Sequence, residues 1–171
     1  MEPQTFINSI CNEAINVCKQ TNLFPSLMIA QACLESNYGQ SKLSTIHHNY
    51  FGIKASVGWK GNTVVYQTKE YVNNKPIIIK QPFRSYPSLL VGFTDRVKFL
   101  QVNKRYSTNG VFSSKTPEEQ ARAFLRAGYA TDPAYPKKLI NIIERYSLNK
   151  YDSQCKAPLN TFTTTSTISP K

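Results

Sequence analysis

One stretch constrains this chain more than any other: Pro25-Ser26-Leu27-Met28-Ile29-Ala30-Gln31-Ala32-Cys33-Leu34-Glu35-Ser36-Asn37-Tyr38. Pro25 suits the first position of a helix, where a missing N–H costs nothing. Gly39 suits the stop. Between them Leu27, Met28, Ile29, Ala30, Ala32, Cys33 and Leu34 leave almost no polar face. A helix apolar nearly all round must be covered on most sides. The remaining chain therefore has to supply several elements that pack against it.

Those elements are readable in outline. Over residues 3–20, Phe6, Ile10, Ala14, Val17 and Cys18 recur at helical spacing. After Pro87, Leu89, Leu90, Phe93, Val97 and Leu100 do the same. Thr116-Pro117-Glu118-Glu119 is a helix start, with Thr116 as N-cap and Glu119 closing a capping box. Asp132-Pro133 opens a last helix that carries Leu139, Ile142, Ile143 and Tyr146. Between the second helix and the Pro87 helix the texture changes. Thr63 to Thr68 and Ile77 to Ile79 are strand formers around the turn chemistry of Asn73-Asn74-Lys75-Pro76. The expectation is an α+β domain, mostly helical, with a small β-hairpin lobe and a groove between the lobes. Its 171 residues, 40% of them hydrophobic, fit one such domain. The domain is expected over residues 1–151, with a low-complexity tail or linker over 152–171.

Several classes drop out. No run of about 18 apolar residues occurs, so no transmembrane helix is expected. Met1-Glu2-Pro3-Gln4-Thr5-Phe6 has neither a basic region nor an apolar core, so the chain as given shows no signal peptide. Cys11, Cys18, Cys33 and Cys155 form no CxxC pair and read as buried thiols, with no metal site. His47 and His48 are adjacent, no serine sits in a triad pattern, and no glycine-rich phosphate loop exists.

The net charge is +11, unevenly spread: residues 1–59 are neutral, 60–148 carry +9 and 149–171 carry +2. Such a field suits an anionic polymer, whether nucleic acid, a membrane surface or a bacterial wall. It also suits a merely soluble basic protein.

Only ten acidic residues are present. Glu118, Glu119 and Asp132 have capping positions, and Asp95 reads as a loop anchor or the partner of an arginine. Glu35 ends the apolar helix. Burial and the negative end of the helix dipole both raise its pKa, which is what a general acid needs. The alternative is a core-edge carboxylate bonded to loop backbone. Glu70 lies in strand texture beside Lys69 and Tyr71, either as an ionised partner across the groove or as an ordinary exposed strand residue. Tyr38, Tyr50, Phe51, Trp59, Tyr86, Tyr129 and Tyr135 fall near turns. Rings in such places line grooves and stack on sugars, or form core rim.

The motifs then become specific. Ala30-Gln31-Ala32-Cys33-Leu34-Glu35-Ser36-Asn37-Tyr38-Gly39 resembles the AQAxLESxxG signature of glycoside hydrolase family 73, the bacterial and phage endo-β-N-acetylglucosaminidases. Asn49-Tyr50-Phe51-Gly52-Ile53-Lys54, Trp59-Lys60-Gly61, Phe83-Arg84-Ser85-Tyr86 and Ala127-Gly128-Tyr129-Ala130-Thr131-Asp132-Pro133-Ala134-Tyr135 are similar to its later motifs, in the family's order. The resemblance implies a lysozyme-like fold that cuts the glycan strand of peptidoglycan at N-acetylglucosamine. It implies Glu35, Glu70 and Tyr129 as catalytic. It points to Tyr38, Asn49, Phe51, Trp59, Tyr86 and Tyr135 as substrate-binding. The expected partner is bacterial peptidoglycan, with no nucleic acid, no membrane insertion and no cofactor, and the expected enzyme is a monomer acting at the wall, whether as phage lysin, effector or autolysin. Lytic transglycosylase, muramidase and non-catalytic wall-binding module are the competing readings.

Overall fold

The structure is a computed structural model that describes residues 2–72 and 75–155, the side chains of 69–72 excepted. The flanking helix α1 spans Pro3–Cys18 and the central helix α2 spans Pro25–Ser36. Ten of the twelve α2 residues are buried, including Ser26 and Gln31. Around α2 pack α1, α6 (Pro117–Arg126), α7 (Tyr135–Arg145) and a 3-10 turn over Leu148–Gln154. The cover demanded by an all-round apolar helix is thus supplied from both ends of the chain.

The helix stops two residues short of Tyr38. Asn37 and Tyr38 both take left-handed backbone, with φ of 50° and 52°. Gly39 follows at φ 71°, where a Cβ would stand 2.5 Å from the Phe6 ring. The Ser36 hydroxyl accepts from the Gly39 N–H at 2.7 Å and donates to the Ala32 carbonyl at 2.6 Å. This tight stop leaves Glu35 in the last helical turn.

Local chemistry sets the other boundaries. α3 (Lys42–His47) starts on the Ser41 cap, and α4 (Leu89–Val102) starts on the Ser88 cap. α4 buries Phe93, Val97 and Leu100, and also Arg96. A short α5 (Lys104–Thr108) follows, without a side-chain cap and without a sequence signal that announced it. Thr116 caps α6 as expected, accepting from Glu119 N–H at 3.1 Å. The return bond from Glu119 goes to the Lys115 N–H rather than to Thr116. α7 begins at Tyr135, later than Asp132-Pro133 suggested, because Asp132 first ties the Ala134 N–H into a turn at 2.9 Å.

The hairpin pairs β1 (Thr63–Val72) with β2 (Lys75–Arg84) antiparallel, Thr63 opposite Arg84 and Glu70 opposite Ile77. Lys75 and Pro76 already belong to β2, so the turn expected over 73–76 is shorter, and residues 73–74 lie outside the described residues. Pro76 and Pro82 share parity with Arg84, whose N–H points outward to the Ile53 carbonyl at 3.0 Å. Both prolines therefore place their missing donor on the outer edge, where the ladder does not need it. The β2 base is fixed to the helical body by Arg84, which bridges to Asp95 at 2.8 Å.

The chain's last described turn is tied back onto the helical body. Asp152 accepts from the Ser26 N–H and the Ser26 hydroxyl, each at 2.8 Å, and Cys155 Sγ reaches the Ile15 carbonyl at 3.1 Å. A boundary after Tyr151 would cut through this packed turn. The expected tail from residue 156 lies outside the described residues.

Candidate active site

Glu35 lines a cavity of about 510 Å³ between the loop that carries Phe51, Ile53 and Lys54 and a wall of Phe99 from α4, Tyr106 from α5 and Tyr129 from the loop after α6. Its side chain keeps access to solvent, while its carboxyl is crowded by protein on the inner side. Burial of the carboxyl raises its pKa above the ordinary glutamate value. A hydrogen bond from Tyr135 and the charge of Arg96 oppose that rise without cancelling it. The result is a carboxyl that retains its proton to higher pH while facing a space that admits substrate, which suits a general acid.

Two tyrosines shape this carboxyl. Tyr135 donates to Glu35 Oε1 at 3.0 Å from beneath the site. Tyr129 is half-buried on the cavity wall, its hydroxyl 3.5 Å from the Phe51 carbonyl. Burial pushes the Tyr129 hydroxyl up, so it stays a neutral phenol and a donor. Lys54 and Arg105 place positive charge on the same cavity.

A larger hollow of about 640 Å³, near Phe24, Phe112 and Lys115, has Asp152 as the carboxylate on its lining. Asp152 is engaged at the start of α2, so Glu35 is the better candidate for chemistry.

The structure sorts the other expected residues. Phe51 is buried but forms a cavity wall. Asn49 is 2% exposed, and its amide is spent on the backbone of Ile53 and Arg84 in three bonds of 2.9 Å. It staples the loop and has nothing left for a sugar. Tyr86 is 5% exposed and donates to Asp95 at 2.6 Å, so it braces the hairpin base rather than binding substrate. Tyr135 is 4% exposed and reaches Glu35 from the core side, so it braces the Glu35 carboxyl and leaves no surface on the cavity. Tyr38 packs edge-on against Tyr146 with ring centroids 6.0 Å apart and is not on the Glu35 cavity. Trp59 is half-buried under the Arg84 guanidinium, 4.3 Å from its ring. Glu70 stands on β1, and its side chain lies outside the described residues.

Two residues of the site had a sequence signal that went unread. Gln31 is a polar residue inside an apolar helix, one helical turn before Glu35 and so on its face. Arg96 occupies a place in the apolar stripe of α4 between Phe93 and Leu100 and is fully buried.

Comparison with known proteins bears on the family and the fold. The family model described as mannosyl-glycoprotein endo-beta-N-acetylglucosaminidase matches residues 11–148. A probable N-acetylmuramidase of Lactococcus lactis subsp. cremoris is 38% identical over 159 residues, 90% of this chain and 36% of that relative. The exo-glucosaminidase LytG of Bacillus subtilis is 35% identical over 88% of this chain and 54% of its own length. The chain thus spans between a third and a little over half of these relatives. Among solved structures, the catalytic domain of the autolysin Auto from Listeria monocytogenes superposes with a TM-score of 0.78 at 39% identity, over 88% of this chain and 87% of that one. The glycoside hydrolase domain of Salmonella typhimurium FlgJ, truncated at its C-terminus, gives a TM-score of 0.70 at 35% identity over 85% of this chain and 98% of its own. By sequence and fold alike, the chain belongs to the glucosaminidase family.

Proposed function

We propose that this domain is a peptidoglycan hydrolase that cuts the glycan strand on the reducing side of N-acetylglucosamine. The observation that carries the reading is Glu35: a carboxyl with a raised pKa, at the end of the buried helix, on a cavity of about 510 Å³. Glu35 gives its proton to the glycosidic oxygen as the bond to the anomeric carbon breaks, and positive charge develops on the sugar. Tyr129, a neutral donor on the wall, holds the sugar at the reacting centre. Glu70 on the hairpin is the second carboxylate, activating water from the opposite side of the ring or supporting attack by the substrate's own acetamido group. The first role calls for carboxyl groups roughly 6.5–9.5 Å apart.

Half-buried Trp59 offers ring surface to a sugar, buried Phe51 shapes the cavity wall, and the basic field draws the domain to the carboxylates and phosphates of the wall. No helix among the described residues is long and apolar enough to cross a membrane. The domain works at the wall as a monomer, with no nucleic-acid partner.

The names of the relatives divide between N-acetylmuramidase and glucosaminidase, so the bond cut is the point to test. Purified peptidoglycan digested with the enzyme is analysed by mass spectrometry after borohydride reduction. New reducing N-acetylglucosamine ends are expected. Reducing N-acetylmuramic acid ends, or anhydro ends, would contradict the reading.

A further inference from the structure

An unbroken chain of hydrogen bonds joins Glu35 to a buried cation. Arg96 Nη2 donates to Gln31 Oε1 at 3.1 Å, Gln31 Nε2 donates to Tyr135 Oη at 3.2 Å, and Tyr135 Oη donates to Glu35 Oε1 at 3.0 Å. Arg96 is 0% exposed, Gln31 2% and Tyr135 4%, so water does not compete along the chain.

The direction of each link follows from the one before. A guanidinium has donors only and does not lose its proton in a protein. Of the two ends of the Gln31 amide, only the oxygen can face it, which fixes the amide and turns Nε2 toward Tyr135. The Tyr135 oxygen accepts there, so its single proton goes to Glu35. Oε1 is then an acceptor whether Glu35 is ionised or neutral. The proton of the neutral acid is left to Oε2, the oxygen not engaged by Tyr135.

We propose that Arg96, Gln31 and Tyr135 are positioning residues that act as a one-way donor relay, holding the transferable proton of Glu35 on Oε2. The proposal rests on the reading of Glu35 as the acid. It also accounts for an otherwise unhelpful arginine. Among the described residues Arg96 has no carboxylate in ion-pair reach, and its Nε and Nη1 find no hydrogen-bond partner. The rings of Tyr129 at 4.5 Å, Phe51 at 5.0 Å and Phe124 at 5.5 Å offset only part of its desolvation. An aliphatic side chain would fill the site without that cost. What it would lack is a donor that cannot reverse.

The charged and titratable groups facing Glu35 are Arg96 from α4, Tyr135 from α7, Tyr129 after α6, and Lys54, Arg105 and Tyr106 around the cavity. The Tyr135 bond and the Arg96 charge both favour ionised Glu35. Weakening either raises its pKa, and the alkaline limb of the rate profile moves up with it.

Gln31→Glu tests the relay with little change of shape. The new carboxylate accepts from Arg96 on one side and from the Tyr135 hydroxyl on the other. Tyr135 then turns its lone pair to Glu35 and holds the acid proton on Oε1. The variant is expected to melt no lower than the parent, because Arg96 gains an ionic partner. On a soluble peptidoglycan oligosaccharide, kcat is expected to fall at least about tenfold, with KM unchanged and the alkaline limb at higher pH. Tyr135→Phe removes the last donor and keeps the ring, and is expected to lower kcat and move the limb the same way. Glu35→Gln is run beside them. Full activity in that variant sinks the acid reading itself. An inactive Glu35→Gln, with wild-type kcat or an unmoved limb in either relay variant, leaves the acid in place and overturns the relay.

Discussion

Glu35 contributes little to the fold that holds it. Its pKa is raised above the ordinary value of 4.5, chiefly by burial. The unfolded chain therefore gives up this proton at lower pH than the folded one. The stability this group contributes is complete below the ordinary value and is lost as pH rises through the folded pKa. Glu35→Gln, which has no proton to lose, is expected to melt at or above the parent at neutral pH, the difference closing in acid. Calorimetry across that range checks the sign. Glu70→Gln is expected to lower turnover by about 10²–10⁴-fold while binding of wall fragments persists, and retained full activity would remove Glu70 from the mechanism. Residue roles were legible unevenly. A carboxylate ending an apolar helix is conspicuous in sequence, so Glu35 stood out. A motif marks Asn49 as a candidate substrate contact, and proximity to a turn marks Tyr86 and Tyr135, but neither says which way a side chain faces. Each faces inward, onto loop backbone, Asp95 and Glu35 respectively.

Helices and strands followed caps and periodicity closely wherever the signal was local. Pro25, Thr116 and Pro117 open their helices where the sequence placed them. What sequence did not carry was contact across long separations. α2 has no side-chain cap of its own at Phe24. Its first turn is capped from 126 residues away by Asp152, a carboxylate at the positive end of the helix dipole. Asp152→Ala is expected to cost about 1–2 kcal/mol, which lowers the melting temperature of a domain this size by about 2–8 °C. Truncation after Tyr151 should do at least as much, whereas truncation after Cys155 should do little. Thermal melts of the three proteins side by side decide this, and an unchanged melting temperature in Asp152→Ala would deny the cap its role. The hairpin was readable as strands, but its attachment was not. Arg84 pairs with Asp95 and Asn49 holds the loop beside it. Asp95 reads in sequence as a loop anchor or an arginine's partner, without any sign that the partner would come from a strand.

The whole molecule joins a buried helix to a strongly basic exterior. Most of its +11 charge lies in residues 60–148, and Lys54 and Arg105 stand on the Glu35 cavity. Attraction to an anionic wall is expected to weaken with salt, since raising ionic strength from about 0.01 to 0.1 M shortens the Debye length from about 30 to about 10 Å. Sedimentation with purified walls should show less binding at the higher salt, and salt-independent binding would leave the charge without this role. The architecture was legible because one all-round apolar helix demands a helical cover, and the candidate site stood out because that helix ends in an acid. Which wall residues would reach the acid depended on tertiary packing. The most direct test of the central claim is the rate at which Glu35→Gln clears a suspension of purified peptidoglycan, measured on protein whose melting temperature is no lower than the parent's. The account expects a loss of about 10²–10⁴-fold. Clearing at the parent's rate would contradict it.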